Sequence, residues 1–418
     1  MGRLPIAASI FALLAALFGA GFAQPVEWAP KAFPVSFWCG PPDPYINIER
    51  YRQVSEAGFN YLMPPCEGAS TAERNLRILG IAKASGLKAF LQDDRMPSGV
   101  TGVGDAKARI DAIVADYSKH SAFAGYFLVD EPGEVAFKPL AEVVAYLREK
   151  DPNHPAYINL FPNYASEDQL GAPTYDLYVS HFIKTVQPFA VSYDHYNFLK
   201  SGDRPQFLTN LDSVRSLATA EGLPFWQIVL ATPHGPYRSL TEAEKRWEAM
   251  QTLAYGAKGL LYFTYWTPAD KSFDWGPALI GRDGKPTPQY EEVKRINADV
   301  QAIGKYLLSA VPSSVFQTGS IAPGGKAREQ GTPVAFLGPS DITVGLFQRD
   351  THLYVLFANR DYRKATDTEV LLTNGEGVVQ RLDKSTGKWL GVKGAKTEDG
   401  DFKTRLSFAP GDGELYRW

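Results

Sequence analysis

Two adjacent carboxyl groups follow an apolar run and are stopped by a proline in the segment GYFLVDEP, from Gly125 to Pro132. The pair is Asp130 and Glu131. Neighbouring carboxylates repel each other, so their pKa values separate and one of them can stay protonated near neutral pH. A carboxylic acid of that kind can protonate a leaving oxygen. We therefore predict that Glu131 is a general acid.

Other acids, amides and aromatic rings stand at the ends of further apolar runs. Asp194, in VSYDHYNF, is the candidate for a second catalytic carboxylate, with Asp130 as the alternative. Paired carboxyl groups cleave glycosidic bonds, amides and hydroxyls bind sugar hydroxyls, and aromatic faces stack on sugar C–H faces. This inventory predicts hydrolysis of a carbohydrate. The candidate substrate-binding residues are Trp38, Asp94, Asn159, Tyr193, His195, Tyr196, Gln227, His234, Tyr265 and Trp266.

Other chemistries lack the residues that they need. His195 and His234 show no HExxH or other close ligand spacing, so we expect no metal site. A GxSxG elbow for an esterase is missing, and so is a glycine-rich GxGxxG turn after the first strand, and we expect no cofactor. The net charge of −3 disfavours nucleic acid or an anionic membrane surface as a partner.

A repeated alternation of short apolar strands and amphipathic helices carries these residues. Eight strand-then-helix units lie between residues 33 and 309, from FPVSFWCG to GLLYFTYWTP and its following helix. Alternation of this kind indicates a parallel sheet, and eight units predict an α/β fold, the (β/α)8 TIM barrel. Because the carboxyl ends of the strands meet at one mouth of such a barrel, we expect the strand-end residues to converge there.

The N-terminal segment predicts export. Residues 1–23 contain Arg3, an apolar stretch and small residues before Gln24, which is typical of a signal peptide. We expect a periplasmic or extracellular protein with no stable membrane anchor after cleavage. The only two cysteines, Cys39 and Cys66, end the first two predicted strands, and we predict that they form a disulfide in an oxidising compartment.

A change from strand–helix units to short alternating strands after residue 310 divides the remaining chain into two parts. We assign residues 24–310 to the catalytic barrel. Residues 311–418 contain short alternating strands separated by Gly, Asp and Asn turns, such as HLYVLFAN and FKTRLSFA. This pattern predicts a C-terminal antiparallel β-sandwich.

Short motifs resemble the clan of glycoside hydrolases that contains the family 5 and family 42 enzymes. GYFLVDEP resembles the Asn-Glu-Pro that ends strand 4 in that clan, with Asp130 in place of the Asn and Glu131 matching the acid/base. GLLYFTYWTP resembles its strand 8, where Trp266 would match the tryptophan under the cleaved sugar. The clan's nucleophile is a glutamate that ends strand 7, but that strand here reads PFWQIVLATPHG and contains no acid.

A second resemblance leaves the mechanism open. VSYDHYNF resembles the strand-6 Tyr-Asp of family 18 chitinases, and Asp-Glu on strand 4 resembles families 20 and 123. This implies a substrate-assisted hexosaminidase-type reaction with Glu131 as acid and Asp130 orienting a 2-acetamido group. Tyr193 and Asp194 would assist. In the competing mechanism Glu131 is acid/base and Asp194 or Asp94 is nucleophile or base. A non-catalytic glycan-binding protein on a barrel scaffold is the third interpretation.

Overall fold

A nearly closed barrel of eight parallel strands forms the first part of the protein, as the sequence predicts. The computed structural model describes residues 28–373 and 378–418, so the predicted signal peptide, residues 1–23, lies outside the described residues. The strands follow one another around the barrel in chain order. They are β1 (Val35–Phe37), β2 (Tyr61–Leu62), β3 (Lys88–Leu91), β4 (Phe123–Asp130), β5 (Ala156–Leu160), β6 (Val191–Asp194), β7 (Phe225–Leu230) and β8 (Gly259–Phe263).

An asparagine side chain joins β1 to β2 where regular strand pairing is missing. Asn60 accepts from the backbone N–H of Val35 at 2.8 Å and donates to the carbonyl of Phe33 at 2.9 Å. The Ser36 hydroxyl adds a bond to the carbonyl of Tyr61 at 3.0 Å. Because buried backbone groups must be paired, these side chains take the place of a short strand ladder and draw the barrel together.

The predicted disulfide is present next to this junction. Cys39 and Cys66 are bonded, and their Cα atoms are 4.7 Å apart. A backbone hydrogen bond from Gly40 to Pro64, 3.1 Å long, lies between the same two segments. The chain beyond β1 is therefore joined to the chain beyond β2 at the mouth of the barrel.

Eight helices of nine or more residues surround the barrel in the described part of the chain, and a four-residue helix, Glu167–Leu170, lies in the segment after β5. Several begin at a side chain that accepts a backbone N–H, as Asn47, Thr71 and Thr241 do, which satisfies an otherwise unpaired donor. Within residues 28–373 and 378–418, no helix combines the length and the apolar composition needed to cross a bilayer. The helices are α1 (Ile48–Glu56), α2 (Ala72–Ala84), α3 (Ala106–Tyr117), α4 (Phe137–Lys150), α5 (Tyr175–Val186), α6 (Phe207–Ala220), α7 (Glu242–Ala254) and α8 (Pro288–Leu307).

Aromatic rings fill the inside of the barrel below its mouth. Tyr157 lies 5.7 Å from Phe127, 5.6 Å from Phe90 and 5.9 Å from Trp226, measured between ring centroids. Trp28 packs on Trp226 at 4.9 Å, near the amino ends of the strands. Tyr157 and Trp226 are fully buried. Close packing of such large rings gives the residues above them a rigid floor.

Two antiparallel sheets make the predicted C-terminal β-sandwich, which begins with β9 at Val311. The six-stranded sheet has the order β9, β11, β12, β18, β14, β15, and the four-stranded sheet has the order β10, β13, β17, β16. These strands are β9 (Val311–Gln317), β10 (Val334–Phe336), β11 (Ile342–Arg349), β12 (His352–Asn359), β13 (Thr366–Leu372), β14 (Gln380–Asp383), β15 (Lys388–Gly391), β16 (Ala395–Lys396), β17 (Phe402–Phe408) and β18 (Gly413–Arg417).

The six-stranded sheet packs against α7 of the barrel. A Cβ added to Gly345 would lie 2.1 Å from the carbonyl oxygen of Ala254, so only glycine allows this approach. The Trp247 indole donates to the carbonyl of Arg360 at 3.1 Å. The barrel core therefore continues onto the face of the six-stranded sheet that packs on α7, while the two sheets bury a separate core between them.

Candidate active site

The backbone turns sharply at Glu131, directly after β4. Its φ is +46°, in the left-handed region, which costs a non-glycine residue about 1–3 kcal/mol. The Glu131 N–H donates to the carbonyl of Asn159 at 2.8 Å, and the carbonyl of Pro132 accepts from the Tyr178 hydroxyl at 2.8 Å. Contacts on both sides of the turn thus hold this unfavourable conformation. Backbone strain of this kind is common where a side chain must be aimed at a ligand.

One amide group connects two of the predicted catalytic carboxyl groups. The Asn159 Nδ2 donates to Asp130 Oδ1 at 3.0 Å and to Asp194 Oδ1 at 3.0 Å. Asn159 is on β5, between β4 and β6, and its Cα partner across the β4 ladder is Asp130. The parallel register therefore brings the ends of three successive strands to one point.

The orientation of this amide is fixed from below. The Ser192 hydroxyl donates to Asn159 Oδ1 at 3.2 Å, and the Tyr157 hydroxyl lies 2.8 Å from Ser192 Oγ. Because Ser192 uses its proton on Asn159, its oxygen accepts from Tyr157. The amide oxygen of Asn159 must then face Ser192 and both of its N–H groups face the carboxyl groups. All of these groups rest on the aromatic floor.

Burial raises the pKa of all three carboxyl groups, by different amounts. Burial raises the pKa of Glu131 to about 7, aided by the charge of Asp130 and opposed by a hydrogen bond from Asp194. Burial also raises the pKa of Asp194 far above its usual range, and the charges of Glu131 and Asp130 add to the effect. Asp194 is therefore the protonated partner of the hydrogen-bonded pair.

Asp130 is the carboxyl group that a ligand can reach. Its side chain is exposed to solvent at the carboxyl end of β4, and protein surrounds it on its other sides. These surroundings raise its pKa to about 6, while the hydrogen bond from Asn159 opposes the rise. At neutral pH most Asp130 side chains are therefore ionised, while a substantial fraction of the Glu131 side chains is still protonated. The site thus contains both an acid and a negative charge.

Tyr196 connects the carboxyl groups to a group of aromatic rings. It lies two positions after Asp194, directly beyond β6, and its pKa is raised by burial and then by the charges of the carboxyl groups, Asp194 first. Its ring lies 5.2 Å from Phe263, 5.9 Å from His234 and 5.3 Å from Tyr237. We call Tyr196, His234, Tyr237, Phe263, Phe273 and Trp275 the aromatic wall.

His234 is a neutral member of the aromatic wall. Burial lowers its pKa, and its Nδ1 lies 2.8 Å from the carbonyl oxygen of Thr232. A carbonyl can only accept, so Nδ1 carries the proton and Nε2 is left as an acceptor. The Tyr237 hydroxyl, 3.2 Å from the hydroxyl of Tyr164, adds a polar group beside it. Because Tyr196, His234 and Tyr237 are buried, the surface of the wall that a ligand can contact belongs to Phe263, Phe273 and Trp275.

Tyr193 and Gln227, two of the predicted substrate-binding residues, face away from this site. Side chains alternate along a strand, so an inward Asp194 requires an outward Tyr193. The Tyr193 hydroxyl donates to Gln227 Oε1 at 2.9 Å, and that oxygen also accepts from Thr252 on α7 at 3.2 Å. Both side chains lie between the sheet and the helices, and we propose no ligand contact for them.

Trp38, Tyr265 and Trp266, the predicted aromatic contacts, lie in the core. Trp38 is inside the barrel, 5.3 Å from Phe127 in the aromatic floor. Tyr265 stacks on Phe37 at 4.5 Å, and Trp266 packs on Tyr45 at 4.6 Å and is 3% exposed. The structure therefore gives Trp266 no face for a sugar to stack on.

His195 and Asp94 also lie outside the group of carboxyl residues. His195 is fully buried, contacts Asn210 through Nδ1 at 2.9 Å, and has a pKa lowered to about 3 by burial. Asp94 is exposed and accepts from the backbone N–H of Ser70 at 2.9 Å. In residues 28–373 and 378–418 no group of three His, Cys, Asp or Glu side chains has the arrangement of a metal site.

The described fold is shared with solved glycoside hydrolases. A catalytic mutant of Gan42B, a GH42 β-galactosidase from G. stearothermophilus, aligns with a TM-score of 0.61 over 93% of this chain and 98% of that chain, at 9% identity. A glycoside hydrolase family 5 protein from Bacteroides vulgatus aligns with a TM-score of 0.58 over 92% of this chain and 89% of that one, at 12% identity. This chain has their barrel fold.

Alignment with other solved structures is partial. The β-galactosidase from the psychrophilic Marinomonas ef1 aligns over 66% of this chain with a TM-score of 0.50 and 12% identity. This chain covers 62% of that enzyme, less than two thirds of its length. No protein-family model matches the sequence, and no curated protein matches it. At these identities the likeness concerns the fold alone.

Proposed function

We propose that the protein hydrolyses glycosidic bonds of an oligo- or polysaccharide with Glu131 as the general acid. One observation carries this proposal: Glu131, whose pKa is raised to about 7, stands beside the solvent-open Asp130 at the mouth of the barrel. An acid that is protonated near neutral pH can protonate the leaving oxygen, and an ionised neighbour can stabilise positive charge that develops on the sugar. The barrel fold shared with solved glycoside hydrolases supports the same proposal.

The contact between Glu131 and Asp194 bears on the mechanism. The two carboxyl groups shift each other's pKa through a side-chain hydrogen bond, so Asp194 is paired with the acid and is not a free carboxylate. We propose that Asp194 tunes the proton on Glu131 and that Asp130 is the carboxylate facing the substrate.

This assignment favours the substrate-assisted alternative. Strand β7 ends in Leu230 and is followed by Ala231 and Thr232, so no carboxylate stands where the glutamate nucleophile of the clan would be. A 2-acetamido group of the sugar, oriented by Asp130, can attack the anomeric carbon while Glu131 protonates the leaving oxygen. Water then opens the cyclic intermediate with Glu131 as base, and the configuration is retained.

We also propose that the protein is exported to the periplasm or beyond. The proposal rests on the signal-peptide pattern of residues 1–23 and is supported by the disulfide between Cys39 and Cys66, which forms in oxidising compartments. Fractionation of cells that produce the full chain, with immunoblotting of each fraction, would test it. Retention in the cytoplasm at full length would contradict it.

A glycan panel tests the proposed activity. Purified protein is incubated with β-linked di- to hexasaccharides with and without 2-acetamido groups, and the anomers released are followed by proton NMR. We expect hydrolysis with retained configuration, restricted to sugars that carry the 2-acetamido group. Binding without turnover would instead support the glycan-binding interpretation, and inversion would exclude the substrate-assisted route.

A further inference from the structure

The segment between β8 and α8 carries two aromatic side chains that the core does not bury. Phe273 is 47% exposed, and Trp275 is half-buried. A phenyl ring left partly in water forgoes part of the free energy that its burial would supply. An exposed ring beside a site that can bind a ligand is therefore a candidate contact, and the way it is supported decides whether it is accidental.

Two glycines allow close contacts between this segment and the loop that follows β7. A Cβ added to Gly235, whose φ is +49°, would lie 3.1 Å from the ring of Phe273. A Cβ on Gly276 would lie 2.5 Å from the side chain of Pro233, and the Gly276 N–H donates to the Pro233 carbonyl at 2.8 Å. Close backbone contacts at two points hold the exposed ring in place rather than leaving it on a free loop.

Trp275 is oriented by its neighbours. Its indole N–H donates to Asp270 Oδ1 at 3.2 Å, and its rings stack on His234 at 5.0 Å with an interplanar angle of 28°. Phe273 meets Trp275 edge-to-face at 5.3 Å. The polar atom of the indole is thus satisfied within the protein, and the rings remain as apolar surface. We call Phe273 and Trp275 the platform. Because these side chains are already ordered, they lose little conformational entropy when a ligand binds.

The platform is continuous with the carboxyl groups. Trp275 lies 6.0 Å from Phe263, and Phe263 lies 5.2 Å from Tyr196, two positions after Asp194 in the chain. We infer that Phe273 and Trp275 bind a pyranose ring of the glycan other than the ring whose bond is cleaved. This inference rests on the proposed hydrolysis of a glycan, since it assigns a second contact along the same chain of sugars.

The chemistry of the platform defines the kind of sugar that it takes. Aromatic faces contact the C–H face of a pyranose whose hydroxyls are mostly equatorial. Charge of both signs lies near this surface, since Asp130 and Asp270 are acidic and Lys200 donates from Nζ to the carbonyl of Gly235 at 2.8 Å, so charge does not select between neutral and acidic sugars. The subsite therefore suits a gluco- or galacto-configured pyranose.

Calorimetric titration in an inactive background tests the subsite. Glu131→Gln protein is titrated with chito-, cello- and galacto-oligosaccharides of increasing length, and so are its double variants with Trp275→Ala and with Phe273→Ala. We expect the affinity for tri- to hexasaccharides to fall roughly three- to tenfold in both double variants, with little change for monosaccharides. Phe273 is on the surface, so its variant keeps the fold even if the Trp275 variant does not.

A matched control is Trp389→Ala, which truncates a half-buried tryptophan of the sandwich, on β15. We expect its affinity for the oligosaccharides to equal that of the Glu131→Gln parent. Equal affinity in the Trp275 and Phe273 variants, or no binding of any oligosaccharide by the parent, would overturn the subsite. Length-dependent binding that needs both rings, combined with no hydrolysis by the wild-type protein, would reject the proposed function and leave the subsite standing.

Discussion

The carboxyl groups of Glu131 and Asp194 are in hydrogen-bond contact, although their strands β4 and β6 are separated by β5. Two carboxyl groups in contact do not both ionise readily, because the second negative charge would be repelled by the first. The pair therefore holds a proton at neutral pH. Asp130 stands beside it as a carboxylate, so that one small site contains a proton donor and a negative charge.

The pH dependence of catalysis follows from these pKa values. The acid requires protonated Glu131, whose pKa is about 7, and the oriented carboxylate requires ionised Asp130, whose pKa is about 6. We expect kcat/KM to fall as pH rises through about 7 and to fall as pH drops through about 6, giving a narrow bell. A pH–rate profile that stays flat through both values would contradict this assignment of the two groups.

Asp194→Asn should make the protein more stable at high pH. The folded protein binds a proton at Asp194 above the pH at which the unfolded chain releases it, so stability falls as pH rises through that window. Asparagine can still accept from Asn159 and donate to Glu131, and it carries no charge to desolvate. Thermal unfolding from pH 4 to pH 8 should show a gain in Tm for the variant that grows with pH.

Parallel pH dependence of Tm in the wild-type and variant proteins would show that Asp194 is not a buried proton site. An Asp283→Asn variant serves as the control, since Asp283 is exposed and its pKa is lowered by the backbone N–H of Lys285. The stability that this lowered pKa supplies is complete above the unfolded pKa of aspartate, about 3.9, so the Tm difference between this variant and the wild type should stay constant from pH 4 to pH 8.

Asn159→Ala should move the acidic limb of the activity profile. The substitution removes the amide donor that stabilises ionised Asp130. A hydrogen bond to a charged group contributes about 1.5–3 kcal/mol, so the pKa of Asp130 and the acidic limb should rise by roughly one to two units. Ser192→Ala removes only the bond that orients the amide, and we expect a smaller shift. Lower kcat with an unmoved limb would indicate a purely structural role for Asn159.

Removing the disulfide should weaken the barrel without changing its chemistry. Cys39 and Cys66 are separated by 27 positions, and the chain-entropy treatment of a loop of that length gives about 3–4 kcal/mol. The Cys39→Ser/Cys66→Ser protein should therefore unfold at lower urea concentration than the oxidised wild type. Wild-type protein in reductant should match it. Identical midpoints in all three samples would show that the bridge does not contribute to stability.

The sequence allows the barrel and the carboxyl residues to be predicted because both follow from periodic patterns. Strand–helix alternation indicates a parallel barrel, and strands that carry Asp130, Asn159 and Asp194 at or next to their carboxyl ends must bring these residues to one mouth. The inward or outward direction is harder to predict, since a shift of one position exchanges the two faces of a strand. The sequence predicts Tyr193 at the mouth, but because it is next to the inward-facing Asp194 its side chain lies behind the sheet.

The aromatic wall shows the same limit at β8. This strand ends at Phe263, whose ring packs on Tyr196 in the aromatic wall. Trp266 lies three positions further along, beyond the strand, and packs on Tyr45 in the core. Trp275 and Phe273 lie in an irregular segment with no period from which a direction could be read. Their role depends on contacts with Gly235, which the sequence alone does not reveal.

Hydrolysis by Glu131→Gln protein compared with Glu134→Gln protein is the most direct test of the central claim. Glu134 is three positions further along the same loop, but its carboxylate contacts His181 at 3.0 Å rather than the acid pair. On the glycan that the wild type cleaves fastest, we expect kcat to fall roughly 10²- to 10⁴-fold for Glu131→Gln. Glu134→Gln should keep near wild-type activity. Equal kcat values for the two variants would contradict the assignment of Glu131 as the general acid.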